Sequence, residues 1–236
     1  MIERTFEATL YAPLFYSSSE GRAIRTQPTL SATALMHALG YRYFGMKKRY
    51  TEIGDEAITP DYSHLEDAPF FVTDMRPVAV RTDERTFRST DYRSERHFTT
   101  NDPDIAKQIA GTGAKSIPSI LEDSGAAYQT MRNYVGVAPG STFEFTVWSE
   151  NEPPRRPFFR MGIKQTGEFR AKTSELDTLV LNKYLLSAVY NLPDDLLARL
   201  LEESRSFERG NDPRLQHFVG PDPDFVRDHV LSEVLE

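Results

Sequence analysis

Apolar and polar residues alternate over residues 5–12, with Phe6, Ala8 and Leu10 on one side and Glu7, Thr9 and Tyr11 on the other. That period of two predicts a strand with one buried face, and Pro13 ends its regular pairing. The period then changes. Leu30, Ala34, Leu35, Ala38, Leu39 and Tyr41 fall at helical spacing and predict an amphipathic helix over 29–44, with Pro28 in its first turn and Thr26 or Thr29 near the cap. Residues 50–68 have no period and read as an irregular connection. Residues 68–80 read as a strand interrupted by Pro69 and Pro77. Residues 81–97 read as an exposed hairpin, and 99–127 as loop-rich, with a helix start at Asn101–Asp104 and a break at Gly111–Gly113.

Residues 131–137 read as a loop leading, through Ala138, Pro139 and Gly140, into the cleanest alternation of the chain. There Phe143, Phe145 and Val147 oppose Glu144, Thr146 and Trp148. Residues 154–173 predict two short strands around a turn bounded by Gly162 and Gly167, with Phe169 and Ala171 facing inward and Arg170 and Lys172 outward. The apolar run 176–190 fits strand or helix. Pro193 opens a short helix carrying Leu196, Leu197, Leu200 and Leu201, and 222–235 predicts a C-terminal helix.

Charge adds a second pattern. The net charge of the 236 residues is -7, but it is +6 over residues 21–49, +2 over 75–98 and +5 over 154–173, against -7 over each of 50–74 and 174–236. If the positive segments converge, they form one basic surface on an acidic body, suited to a polyanion. In 81–97 the arginines Arg81, Arg85, Arg88, Arg93 and Arg96 interleave with Phe87, Tyr92 and His97, the combination of charge and flat faces that single-stranded nucleic acid uses. The plainer alternative for both hairpins is internal ion pairing, to Asp83, Glu84, Asp91 and Glu95 in the first and to nearby acids in the second. Lys47, Lys48 and Arg49 follow the predicted helix, where they complement its dipole or contact phosphate.

The chain has no cysteine, which removes disulfides, thiolate metal sites and cysteine nucleophiles and fits a reducing cytoplasm. No signal peptide or membrane-spanning run is expected. A Gly-x-Ser-x-Gly elbow, a His-Glu-x-x-His motif, a phosphate loop and a complete dinucleotide fingerprint are all missing, and the five histidines are not spaced as metal ligands. No cofactor or metal is therefore expected. A metal-independent RNA cleavage site needs only a base, an acid and a cation, which Tyr43, Lys47, His37, Tyr92 and His97 can supply. The plainest role for His37, at the edge of its helical stripe, is structural.

The segment Ala8-Thr9-Leu10-Tyr11-Ala12-Pro13-Leu14-Phe15-Tyr16-Ser17-Ser18-Ser19-Glu20-Gly21, followed by Ala34-Leu35-Met36-His37-Ala38-Leu39-Gly40, resembles the Csc-one subunits of type I-D CRISPR effector complexes, within the Cas-five family. Asp91–Arg96, Arg132–Gly136 and Phe159–Lys164 follow in the expected order, so the resemblance covers about residues 5–175. It implies an α+β fold: a single ferredoxin-like, RNA-recognition-type (RAMP) β-sheet domain with inserted β-hairpins, followed by C-terminal helices. Irregular insertions are expected around 50–68 and 99–127. It implies a non-catalytic subunit that grips the 5′ handle of the CRISPR RNA in antiviral defence. The implied partners are the backbone (Cas-seven-like) subunit, the large subunit and target DNA near the protospacer-adjacent motif (PAM). Candidate RNA contacts are Arg160, Lys164, Arg170 and Lys172 of the hairpin, then Arg132, Asn133 and Tyr134, then Arg88, Tyr92, Arg93, Arg96, Lys47, Lys48 and Arg49. Some relatives in type I-C cleave precursor RNA. An endonuclease and a purely structural adaptor therefore stand as alternatives.

Overall fold

A computed structural model describes residues 1–15, 23–46, 62–88, 131–162, 165–175, 178–210 and 213–235. The strands are β1 (Ile2–Ala12), β2 (Ala23–Arg25), β3 (Phe70–Val72), β4 (Arg76–Ala79), β5 (Thr82–Arg88), β6 (Met131–Val137), β7 (Thr142–Ser149), β8 (Phe158–Met161), β9 (Gly167–Thr173), β10 (Val180–Asn182), β11 (Ser204–Glu208) and β12 (His217–Pro221). The helices are α1 (Ala32–Tyr43), α2 (Asp194–Glu202) and a C-terminal helical segment over 223–234, α3. The architecture is mixed α/β on a mainly antiparallel framework.

The main sheet runs β3-β7-β1-β9-β8, with β4 pairing β7 beside β3. β1 is its axis, antiparallel to β7 on one side and β9 on the other. The predicted alternation holds: Phe6, Ala8 and Leu10 are buried, as are Phe143, Phe145, Phe159, Phe169 and Ala171 from the neighbouring strands. Their rings form a cross-strand chain. Phe6 lies 5.2 Å from Phe145, Phe145 5.9 Å from Phe159, and Phe159 5.1 Å from Phe169. Such aromatic pairs add to the area they bury, which makes this chain the main brace of the sheet.

α1 lies across the sheet, touching β3 at one edge and β8 at the other. It buries Leu35, Met36 and Leu39, and Phe44 beyond its end stacks on Phe70 at 4.1 Å. The helix begins later than the sequence predicts. Ser31 is the N-cap, while Leu30 is held in a bridge to Met75, so Pro28 lies outside the helix rather than in its first turn. The reason is Asp74, whose carboxylate accepts the Ala32 N–H at 2.6 Å and the His217 ring N–H at 2.7 Å. One buried acid thus fixes the start of α1 and ties it to β12.

β2, β6 and β5 form a second sheet, β2 parallel and β5 antiparallel to the central β6. Residues 131–137 are therefore a strand, not a loop leading into one. Gly136 and the polar pair Arg132 and Asn133 hide its alternation. The third sheet, β10-β12-β11, carries α2. The ambiguous run 176–190 holds both elements: β10, then a helical turn over Leu185–Val189. Asn182 makes the switch, its side-chain oxygen accepting the Leu185 N–H at 3.0 Å and its amide donating to the Arg214 carbonyl at 3.0 Å. α3 forms as predicted, with Asp222 accepting the Asp224 and Phe225 N–H groups at 3.0 and 2.9 Å ahead of the first turn. Of the irregular stretches, 50–61 and 99–127 lie outside the described residues, and 62–68 holds a short 3-10 turn. No described helix is long and apolar enough to cross a membrane.

Candidate nucleic-acid interface

The hairpin β8–β9 follows from its sequence. Inward Phe159, Met161, Phe169 and Ala171 are buried, while Arg160, Arg170 and Lys172 project outward, with more than half of each side chain exposed. The proline-rich approach is fixed to β1 by Arg4, which donates to the Pro153 carbonyl and to Glu152. That hydrogen bond, with the charges of Arg4 and Arg155, holds the Glu152 carboxyl below its usual range. At the other edge, the Tyr43 hydroxyl of α1 donates to the Phe158 carbonyl at 2.9 Å and accepts the Phe158 N–H at 2.8 Å. The edge strand is thereby closed by a side chain of the helix.

The outward cations sit in a lattice of carboxylates. Arg160 pairs with Glu168 at 3.1 Å, Arg170 shares the same carboxylate at 3.9 Å, and Lys172 pairs with Glu7 of β1 at 3.0 Å. One further row crosses four strands, in which Arg76 pairs with Glu144, beside Glu7 and Lys172. The alternative of internal ion pairing is thus realised. It does not neutralise the face: two arginines share Glu168. Exposed pairs of this kind are each worth only about 0–1 kcal/mol, so a phosphate can displace them. Arg170 also lies over the ring of Tyr11, 4.8 Å from its centroid, and Tyr11 is 55% exposed. A cation stacked on an open aromatic face suits a nucleobase or a phosphate.

Segments distant in sequence converge where β1 ends. Leu14 exchanges backbone hydrogen bonds with Val137 at 3.0 and 2.8 Å, joining the main sheet to the second one. A β-carbon on Gly136 would come within 2.4 Å of the Leu14 carbonyl. One on Gly162 would meet Leu14 at 2.5 Å and the Phe15 carbonyl at 2.7 Å, and one on Gly167 would meet Leu14 at 2.6 Å. The two glycines bounding the hairpin turn and the glycine of β6 therefore grip the same dipeptide. Beside it, Phe15 meets Tyr134 edge-on at 6.3 Å, and the Arg85 guanidinium lies 5.7 Å from the Phe15 ring.

Of the residues expected to contact RNA, Arg160, Arg170 and Lys172 share the hairpin face, and Tyr134 sits at the junction. Arg132 and Asn133 belong to β6, paired on both sides, which corrects the loop expected there; Arg88 ends β5. Lys164, Tyr92, Arg93, Arg96, Lys47, Lys48 and Arg49 lie outside the described residues. Sequence reasoning named Arg85 only within the 81–97 cluster and did not single out Tyr11 or Arg42, which the structure places beside the hairpin cations and at the end of α1. The available signals were the outward position of Tyr11 and the run Tyr41-Arg42-Tyr43 at the helix end. His37 is half-buried, with Nδ1 2.9 Å from the Tyr41 hydroxyl and its ring 4.9 Å from that of His64. Burial, then the neighbouring His64, push its pKa down to about 4. Among the described residues, no three His, Asp or Glu side chains gather as metal ligands.

A family model described as type I-D CRISPR-associated protein Cas5/Csc1 matches residues 1–206, leaving β12 and α3 beyond the match. No curated protein matches the chain. Among solved structures, the chain resembles one in the cryo-EM structure of the type III-B Cmr-beta bound to cognate target RNA and AMPPnP, state 1. The identity is 8% and the TM-score 0.36, over 73% of this chain and 64% of that one. A second likeness, to a chain of the type III-B Cmr-beta bound to cognate target RNA, has 9% identity and a TM-score of 0.39, over 92% of this chain and 84% of that one.

Proposed function

The chain belongs to the type I-D CRISPR-associated Cas5/Csc1 family, and we propose that it is a non-catalytic, RNA-binding subunit of a cytoplasmic effector complex that holds the 5′ handle of the guide RNA. The observation that carries this reading is the convergence at Leu14–Phe15. The end of β1, the strand β6 and the hairpin turn meet there; exposed Arg160, Arg170 and Lys172 lie on the two strands of that hairpin, and exposed Arg85 on β5, the strand paired with β6. These are the segments that carry the family resemblance in the sequence.

The order β9-β1-β7-β3/β4, with α1 between β1 and β3, supports reading the main sheet as ferredoxin-like. The connection from β7 to β9 runs through the edge strand β8, where that fold has a second helix. On this reading the second sheet is the inserted hairpin element of a single RAMP-like domain. Phosphate contacts from the hairpin cations position the handle, and Tyr11 and Tyr134 offer faces to splayed bases. The acidic remainder of the surface is left for the backbone and large subunits, near the PAM end of the target.

Binding of a handle-length single-stranded RNA to the full chain, measured by fluorescence anisotropy against salt, tests this. Affinity falls steeply with salt, and the double reversal Arg170→Glu, Lys172→Glu weakens binding and flattens the salt slope by about two contacts. An unchanged slope in that variant refutes the assignment of the face. The adaptor alternative draws on the pairing of Arg160, Arg170 and Lys172 with the protein's own carboxylates. It predicts assembly with partner subunits and no salt-dependent RNA binding. Supporting a non-catalytic role, His37 is engaged with Tyr41 and His64 in the half-buried flank of α1. An endonuclease would instead give a discrete product without added metal, lost in His37→Ala or His97→Ala.

A further inference from the structure

We infer that the cleft between the end of α1 and the β8–β9 hairpin seats one unstacked nucleotide of single-stranded RNA. This rests on the RNA-binding reading above and gives it a subsite. The cleft holds about 580 Å³, inside the range of roughly 300–1,000 Å³ in which small ligands bind. Tyr41, Arg42, Phe158, Arg160 and Gln165 are among the residues that line it.

Arg42 is positioned by its neighbours. Its guanidinium lies 5.2 Å from the Phe158 ring centroid and 5.6 Å from that of Tyr43, and its Nε donates to the Tyr43 hydroxyl at 3.1 Å. Tyr43 is itself locked by both backbone groups of Phe158. The guanidinium is thus held against two rings and a hydroxyl before any ligand arrives, so less side-chain freedom remains to be lost on binding. Arg160, Arg170 and Lys172 each face a carboxylate within 4 Å, whereas among the described residues none lies that close to Arg42. An oriented guanidinium with no described carboxylate within 4 Å suits the paired oxygens of a phosphate.

Gln165 lines the cleft from the hairpin turn. It stands at φ 55°, left-handed backbone that favours glycine or asparagine, and its N–H closes the turn onto the Gly162 carbonyl at 2.9 Å. Glycine would make that turn without strain. What glutamine adds is an exposed amide at the cleft, with a donor and an acceptor side by side, the pattern that reads the edge of a base. The half-buried rings of Tyr41 and Phe158 supply an apolar wall beside it. Phosphate, base edge and base face are therefore each met by a different group in one nucleotide-sized space.

The test uses the full chain and a short single-stranded RNA carrying one 5-bromouridine, moved position by position, with parallel oligomers abasic at that position. One position crosslinks to Tyr41 or Phe158, and removing its base lowers affinity about 5- to 100-fold, as loss of a stacked base does. Gln165→Gly leaves the thermal midpoint unchanged or raised while abolishing discrimination among the four bases at that position. Arg42→Gln weakens binding of every sequence and lowers the salt slope by about one contact. Salt-dependent binding with no adduct in 38–43 or 158–165, and parental affinity in both variants, overturns the cleft while leaving the RNA-binding reading intact. No RNA binding at low salt overturns both.

Discussion

Three glycine-to-alanine substitutions separate the two reasons a glycine is needed at the junction. Gly140 has φ +84° and nothing within 4 Å of an added β-carbon, so Gly140→Ala pays only the left-handed backbone, about 1–2 kcal/mol. Gly136 has no such backbone demand, but its β-carbon would lie 2.4 Å from the Leu14 carbonyl and 2.6 Å from the Phe15 ring, so Gly136→Ala pays overpacking, about 1–3 kcal/mol. Gly162 carries both burdens: φ +85°, with Leu14 at 2.5 Å and the Phe15 carbonyl at 2.7 Å. Adding the two costs gives about 2–5 kcal/mol for Gly162→Ala. Urea unfolding of the three variants ranks them, and RNA affinity measured under folded conditions completes the assay. Gly162→Ala is the least stable, and both it and Gly136→Ala weaken RNA binding because Leu14–Phe15 must move. Gly140→Ala binds as the parent does. Equal stability of Gly162→Ala and Gly140→Ala would refute the claim that the hairpin turn grips the end of β1.

Other outcomes follow from the buried groups. His37 titrates near 4 when folded and near 6.5 when unfolded, so its contribution is full above 6.5 and lost as pH falls toward 4. The His37 contribution therefore falls by about 2 kcal/mol between pH 7 and pH 5, so His37→Gln loses less stability than the parent over that interval; an equal change in both proteins refutes it. Burial lowers the His217 pKa, but the hydrogen bond and charge of Asp74 outweigh it and raise the net value above 6.5, so this stabilisation is present below 6.5 and fades as pH rises through the folded pKa. An NMR titration places the His217 ring above 6.5, and a lower value refutes the pairing. Asp74→Ala, which strands the Ala32 N–H and His217 together, costs about 3–5 kcal/mol in urea unfolding, and a loss below about 1 kcal/mol counts against its hub role. Tyr43→Phe removes the hydroxyl that serves both backbone groups of Phe158 and costs about 1–3 kcal/mol by the same measurement, with no loss expected if water replaces it.

Much of the main sheet was legible because its strands have one buried and one open face. The alternation in β1 and β9 names the residues that are buried, and the glycine-bounded turn between β8 and β9 falls where expected. Where both faces are covered, alternation fails: Thr146 and Trp148 oppose the inward phenylalanines of β7 yet are also buried. The start of α1 was misread because Asp74, distant in sequence, decides it. β11 and β12 were missed altogether, since β11 is short and mostly polar and its partner carries Gly220 at φ +62°. In the candidate site, the hairpin cations were visible as charge, but their carboxylate partners come from Glu7 and Glu168 through strand register. Arg42 was hidden because a lone arginine in the last turn of a helix already has an ordinary reason to be there.

Crosslinking of the RNA within the assembled effector, with adducted peptides and nucleotides mapped, addresses the central claim most directly. Adducts are expected to join the 5′ handle to residues 11–15, 134–136 or 158–172. Handle adducts confined to other subunits, with those residues meeting only protein, would contradict it and favour the adaptor.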